Sequence, residues 1–197
     1  MKIILLRHGE TEWNALSRYQ GHTDISLNDK GKTQARRAAR YLWENEQVEA
    51  VYCSDLSRTR QTAAIAAQVL EQQVYYDGRL RELCFGVWEG LTFSEVYEKY
   101  RDDWDKWYKD GWNFKMPGGE TFTEVVARAG QALDEIASQH TGTVLVVTHG
   151  GVIKALLGHF DPSFDLWKTD IAPGSMTYIE FENGNYKILK TGLTPYP

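Results

Sequence analysis

Two short apolar runs frame the chain, Ile3-Ile4-Leu5-Leu6 and Thr143-Val144-Leu145-Val146-Val147. Each is too short for a helix and carries no alternating polar position, the pattern of a strand covered on both faces. Each then changes polarity within one residue, the first into Arg7-His8-Gly9 and the second into Thr148-His149-Gly150-Gly151. Between them helical and strand patterns alternate. Asn28 can cap a helix running to about Glu46, with Ala35, Ala38, Ala39 and Leu42 on one face. Ala50-Val51-Tyr52-Cys53 reads as a short strand, the next helix buries Ala63, Ala66, Ala67 and Leu70, and Val74-Tyr75-Tyr76 is a third strand. This order predicts a parallel sheet covered by helices.

Leu91 to Gly118 has a different character. Thr92 and Glu95 form a capping box, and Phe93, Tyr97, Tyr100, Trp104 and Trp107 follow at four- and three-residue steps, on one helical face. The spacing predicts a helical insertion over the end of the sheet. Its aromatic stripe reads as its own packing face, with one or two rings available to stack on a substrate. Thr121 and Glu124 open another helix, with Val125, Val126, Ala129, Leu133, Ile136 and Ala137 inward; a shorter one after His149 buries Val152, Ile153, Leu156 and Leu157. Asn183-Gly184, between Met176–Phe181 and Tyr186–Leu189, signals a hairpin at a sheet edge. The expected fold is α/β: a three-layer αβα sandwich with a mostly parallel sheet, an antiparallel C-terminal edge and a helical cap at about 91–118, in a single domain over 1–197.

A net charge of -5 argues against nucleic acid as the main partner, while a small anionic substrate needs only a local cationic pocket. No apolar run approaches a membrane span. The four apolar residues before Arg7 are too few for a signal peptide, so the cytoplasm is the default compartment. Cys53 and Cys84 match neither a metal-ligand spacing nor a disulfide framework. A monomer or a homodimer is expected.

The candidate chemistry sits where strands end: Arg7 and His8, Arg58, Glu82 and His149. In open α/β sheets ligands gather there. Should these residues converge, two guanidiniums, two imidazoles and one carboxyl group surround one cavity. A guanidinium fork matches phosphate oxygens. A neutral imidazole can attack phosphorus, a glutamic acid can protonate a leaving alcohol, and a second imidazole can stabilise charge on the transferring oxygens. That is a phosphoryl-transfer set, and it requires no metal and no cofactor. The competing readings are plain ones. Glu82 would pair with Arg79 or Arg81 at the surface, Arg58 would form an exposed salt bridge at a helix start, and His22, His140 and His159 would be surface or packing residues.

The same residues carry a family resemblance. Leu6-Arg7-His8-Gly9-Glu10-Thr11, with Trp13-Asn14 behind it, resembles the signature of the histidine phosphatase superfamily, which includes the cofactor-dependent phosphoglycerate mutases. Ser54-Asp55-Leu56-Ser57-Arg58 with Gln61-Thr62-Ala63 is similar to the family's second motif, and Leu80-Arg81-Glu82 with Phe85-Gly86 and Trp88-Glu89-Gly90 to its third. Gly118-Gly119-Glu120-Thr121 and Val147-Thr148-His149-Gly150-Gly151-Val152-Ile153 complete the series in order. The resemblance implies that His8 becomes phosphohistidine, that Arg7, Arg58 and His149 hold the phosphoryl oxygens, and that Glu82 is general acid and then general base. It further implies that Asn14, Gln20, Gly21 and Gly150 line the substrate side. Thr59 stands where the family often has alanine, an expected local packing change.

Within the family the mutases tend to be longer and usually carry asparagine where this chain has Gly151, and both departures favour hydrolysis. Tyr19-Gln20-Gly21-His22-Thr23-Asp24 and the Phe85–Gly90 run resemble the α-ribazole-5'-phosphate phosphatases of cobalamin assembly most closely. A small phosphorylated metabolite is therefore the expected partner, with α-ribazole 5'-phosphate the first expectation. A broad-specificity sugar phosphatase and a mutase remain as alternatives. Two readings come from other classes: an inactive phospholigand-binding module, and a metal hydrolase using His8, Glu10, His22 and His149. The module would lack the nucleophile or acid that His8 and Glu82 supply, and the hydrolase would need a compact ligand spacing that the sequence does not offer.

Overall fold

In the computed structural model, which describes residues 1–195, β1 (Lys2–Arg7) lies inside a six-stranded sheet. It pairs in parallel with β4 (Thr143–Thr148) and antiparallel with β5 (Met176–Glu182). Beyond β4 come β2 (Val48–Cys53) and the edge strand β3 (Val74–Tyr76), both parallel; beyond β5 comes the antiparallel β6 (Asn185–Leu193). The order β3-β2-β4-β1-β5-β6 is the mostly parallel sheet with an antiparallel C-terminal edge that the patterning implies.

The unbroken apolar runs are buried on both faces. Ile3, Leu5, Val144 and Val146 face one core with α6 (Phe122–Gln139) and α7 (Gly150–Phe160); Ile4, Leu6, Leu145 and Val147 face another with α2 (Asp29–Asn45) and α3 (Ser57–Leu70). Alternation of side chains along a strand thus divides two helical layers. Strand β2 starts earlier than the sequence suggests, at Val48 rather than Ala50. A register shift between these residues turns Val48 into the core opposite to that of Ala50, so simple alternation fails there.

A larger difference lies in the insertion. The Thr92 capping box forms, but the helix breaks at Tyr100, whose φ of -134° and ψ of 37° are not helical. The result is α4 (Phe93–Lys99) followed by α5 (Arg101–Lys109), after a first short helix, α1 (Glu12–Ala15), that the patterning does not mark. The aromatic residues therefore do not share one face. Phe93, 47% exposed, clusters with Tyr97 and Trp104, whereas Trp107 turns inward against Trp88, Phe122 and Trp167. The inward residue of α4 is Val96. At the hairpin, Asn183 and Gly184 both have positive φ, 51° and 78°, as a type I′ turn requires.

The loop leaving β1 is seated on the start of α2 by two glycines. A Cβ on Gly9 would lie 2.2 Å from the Gly31 carbonyl oxygen, and one on Gly31 would lie 2.1 Å from that of Glu10. Neither backbone can yield without moving His8. Gly130, in mid-helix, has nothing within 4 Å of such a Cβ. We expect Gly31→Ala to lower stability by about 1–3 kcal/mol through overpacking. Gly130→Ala should raise it by about 0.5–1 kcal/mol through helix propensity. Urea-denaturation midpoints of the two variants check both signs.

Candidate active site

The carboxyl ends of β1, β4 and β2 are adjacent, and a cavity of about 260 Å³ opens above them. Arg7, His8, Asn14, Gln20, Gly21, Arg58, Glu82 and Gly150 all line it, so eight of the nine residues named from the sequence converge. His149 stands behind this wall, fully buried. Among the described residues no group of three or more His, Cys, Asp and Glu is arranged to hold a metal ion. Nor is any described helix long and apolar enough to cross a membrane.

His8 leaves β1 as the chain turns, its backbone N–H donating to the Thr148 carbonyl at 3.0 Å. The ring Nδ1 lies 2.7 Å from the Gly9 carbonyl oxygen, which can only accept. Nδ1 therefore carries the proton, and Nε2 keeps its lone pair. Burial, followed by the charges of Arg58 and Arg7, holds the imidazole pKa well below its ordinary value. The ring is neutral near pH 7, as a nucleophile must be.

Arg58 is fully buried at the start of α3, and its fork holds the loop that faces it. Its Nη2 donates to the Gly21 carbonyl at 2.7 Å, Nη1 to that of Thr23 at 2.9 Å, and Nε to His149 Nδ1 at 3.3 Å. Burial pulls its pKa down to about 10, which leaves it charged at neutral pH. Because His149 Nδ1 accepts, its Nε2 carries the proton and donates to Ser54 Oγ at 2.9 Å. Both nitrogens of His149 are engaged, its pKa is held well below the usual value by burial and then by Arg58, and its ring meets that of His8 edge-on at 5.2 Å. Arg7 has a buried Nε with no partner, a donor left for a ligand. The missing side chain of Gly150 makes room for this guanidinium, since a Cβ would lie 3.3 Å from Arg7 Nε.

Glu82 pairs with neither Arg79 nor Arg81. Those arginines bind Asp77 with Glu135 and Asp55 respectively. The Glu82 carboxylate instead turns to the start of α7, accepting from the backbone N–H groups of Leu83 (2.9 Å), Val152 (3.2 Å) and Gly151 (3.2 Å). A Cβ on Gly151 would lie 2.5 Å from Glu82 Oε1, so glycine there leaves space for the carboxylate. The Glu82 main chain is held from behind. Its carbonyl accepts from Arg128 Nη2 and His22 Nε2, each at 2.8 Å, while Arg128 also grips Glu120. Arg128 is legible after the fact, three residues after Val125 and four before Ala132 on the buried stripe of α6. His22, partly buried, is a packing residue that holds the Glu82 main chain.

The loop at Gly21 is tied by Glu89, which accepts from the backbone N–H groups of His22 and Thr23. Gly21 has a φ of +54°, and a Cβ there would lie 1.9 Å from Glu89 Oε1, so only glycine fits. Asn14 and Gln20 use their carbonyl oxygens on Thr11, leaving their amide N–H groups for the cavity. Glu10 braces the loop by accepting from Lys30 and Asn28. Thr59 fills a buried site and donates to main-chain carbonyls, a packing change without a role in the cavity. The outer wall is aromatic, with Phe85, Trp107, Phe122 and Trp167, and also carries Lys154 and Asp170. The insertion contributes one ring, Trp107; no sequence pattern pointed to Trp167 or Asp170.

The chain is similar to known proteins over almost its whole length. The family model for the histidine phosphatase superfamily (branch 1) matches residues 3–194. Phosphoserine phosphatase 1 of Hydrogenobacter thermophilus is 35% identical over 199 residues, covering 98% of this chain and 93% of its own. The solved structure of Bacillus stearothermophilus YhfR superposes with a TM-score of 0.89 at 35% identity, over 97% of this chain and 96% of its own. The α-ribazole phosphatase of Shigella flexneri superposes with a TM-score of 0.85 over 100% of this chain and 98% of its own, but at 23% identity that likeness is one of fold.

The two neutral, buried imidazoles have a consequence for stability. With folded pKa values below the ordinary value of about 6.5, the unfolded chain binds more protons than the native one at mildly acid pH. Their contribution is complete above that pH and is lost as pH falls below it. Stability should therefore drop between pH 6.5 and 5 by up to about 2.7 kcal/mol per pH unit, two protons at about 1.36 kcal/mol each. Urea titrations at a series of pH values measure the slope, and His8→Asn should remove about half of it.

Proposed function

The chain belongs to the histidine phosphatase superfamily (branch 1) and is a phosphatase of that family, and from this we propose that it hydrolyses small phosphomonoesters through a phosphohistidine on His8. One observation carries the reading: the Nδ1 contact to the Gly9 carbonyl at 2.7 Å fixes a neutral tautomer whose Nε2 lone pair is free, in a wall shared with two guanidiniums.

Nε2 of His8 attacks phosphorus as the bond from phosphorus to the alcohol oxygen breaks. The leaving oxygen takes its proton from the Glu82 carboxyl group, acting as general acid. Water then attacks the phosphohistidine, the Glu82 carboxylate takes the proton of the water, and the nitrogen–phosphorus bond breaks to release phosphate and restore His8. Arg7 and Arg58 neutralise the phosphoryl oxygens throughout, with the amino end of α7 adding its dipole. Two guanidiniums supply the charge a metal would otherwise provide. His149 acts through Arg58, which it holds, and through its edge contact with His8.

A cavity of about 260 Å³ favours a compact substrate. The name of the Hydrogenobacter relative, phosphoserine phosphatase 1, supports an ester of that size. A second reading, α-ribazole 5'-phosphate, draws its support from the aromatic outer wall of Phe85, Trp107, Phe122 and Trp167, against which a flat base could stack.

Hydrolysis of phosphoserine, α-ribazole 5'-phosphate, 3-phosphoglycerate and p-nitrophenyl phosphate, with EDTA present, tests the chemistry. His8→Ala should abolish turnover, and acid-labile phosphate should be trapped on the wild-type protein but not on this variant. Glu82→Gln should lower kcat about 10²- to 10⁴-fold on alkyl esters. The loss should be much smaller on p-nitrophenyl phosphate, whose leaving group needs no proton. Retention of most turnover by His8→Ala would refute the nucleophile assignment, and isomerisation of 3-phosphoglycerate in place of hydrolysis would favour a mutase.

A further inference from the structure

Outside the phosphoryl end, the cavity wall carries three charged side chains that nothing in the mechanism uses: Arg18, which is tied to Glu95 and the Gly90 carbonyl, and Lys154 and Asp170, which are not so tied. Lys154 lies on α7 one turn after Gly150, ~5–6 Å along the helix. Asp170 lies in the segment between α7 and β5, beside Ile171, whose carbonyl accepts from Arg7. Among the described residues neither side chain forms a hydrogen bond or an ion pair closer than 4.0 Å. Lys154 is half-buried, and burial pulls its pKa down, with the facing charge of Asp170 acting in the opposite sense.

An ammonium drawn partly out of water without a partner is costly unless a ligand supplies the anion. The phosphoryl oxygens already have Arg7 and Arg58, so the anion that suits Lys154 is a second one. Asp170, exposed on the same wall, offers the opposite charge, and the Trp167 ring on that wall adds an aromatic surface that favours a cation. A cation and an anion on one wall, the cation one helical turn from Gly150, match a zwitterion. In a phosphorylated hydroxy-amino acid the carboxylate carbon is four bonds from phosphorus, on the order of 5 Å at ~1.5 Å per bond.

We propose that Lys154 and Asp170 form a subsite for the charged end of the substrate, Lys154 taking a carboxylate and Asp170 an ammonium group, so that the substrate class is an O-phosphorylated amino acid. This rests on the phosphatase reading above and adds to it the two residues that set specificity.

The test is a matrix of kcat/KM values for wild type, Lys154→Met, Lys154→Arg and Asp170→Asn. The substrates are phosphoserine (both groups), phosphoglycolate (carboxylate only), phosphoethanolamine (ammonium only), glycerol 3-phosphate and p-nitrophenyl phosphate (neither). Wild type should prefer phosphoserine to glycerol 3-phosphate by about 100-fold or more. Lys154→Met should lose about 10- to 100-fold on phosphoserine and phosphoglycolate, chiefly through KM, and about threefold or less on the others. Lys154→Arg should recover part of that loss, and Asp170→Asn should show the mirror pattern, penalising phosphoserine and phosphoethanolamine. An equal loss on all five substrates would put Lys154 on the phosphate and overturn the subsite, as would a wild-type enzyme indifferent to the series. Failure to hydrolyse p-nitrophenyl phosphate, which carries neither charged group, would instead overturn the phosphatase reading itself.

Discussion

Arg58 is a fully buried cation whose direct partners are all neutral: two main-chain carbonyls and an imidazole nitrogen. Arg7 stands nearby with a buried donor unpaired, and no carboxylate forms an ion pair with either guanidinium among the described residues. Buried charge without its counter-charge is expensive. The fold carries that cost in advance, so the cavity is ready for a dianion, and donors that need not reorganise are the most effective electrostatic catalysts. Burial first, and then these two charges, keep His8 neutral, and burial with Arg58 does so for His149. Anion binding and nucleophilicity are thus one arrangement seen from two sides.

The carboxylate that completes this site is kept away from the arginines by geometry. Glu82 caps the start of α7 through the N–H groups of Gly151 and Val152, and accepts a third from Leu83. Its own main chain is clamped by Arg128 and His22, themselves joined through Glu120. A freely rotating Glu82 would reach for a guanidinium and neutralise the cavity. Glycines occur where the clamp needs close approach: Gly151 beside the carboxylate, Gly150 beside Arg7, and Gly21 beside Glu89.

Much of this could be read in the chain. The strand runs, the helix caps at Asn28, Thr92 and Thr121, and the Asn183-Gly184 turn are local signals, and local hydrogen bonds enforce them. What misled was the insertion, where regular aromatic spacing implied one helical face. The chain instead breaks at Tyr100, whose backbone is not helical, so Phe93, Tyr97 and Trp104 cluster apart from the inward-facing Trp107. The role of His22 in holding Glu82 did not show because its partner, the carbonyl of Glu82, lies sixty residues away in sequence.

The sequence by itself determined the sheet, its layers and the phosphoryl-binding end, since apolar period, capping and strand-end polarity are properties of neighbouring residues. The tertiary structure alone decided which imidazole faces the cavity and which is enclosed behind it, and how Glu82 is held off the arginines. It also decided that Lys154, Asp170 and Trp167 share a wall with His8. Those outcomes depend on contacts between distant segments, and side-chain tautomer, charge pairing and cavity shape are set only once such segments meet.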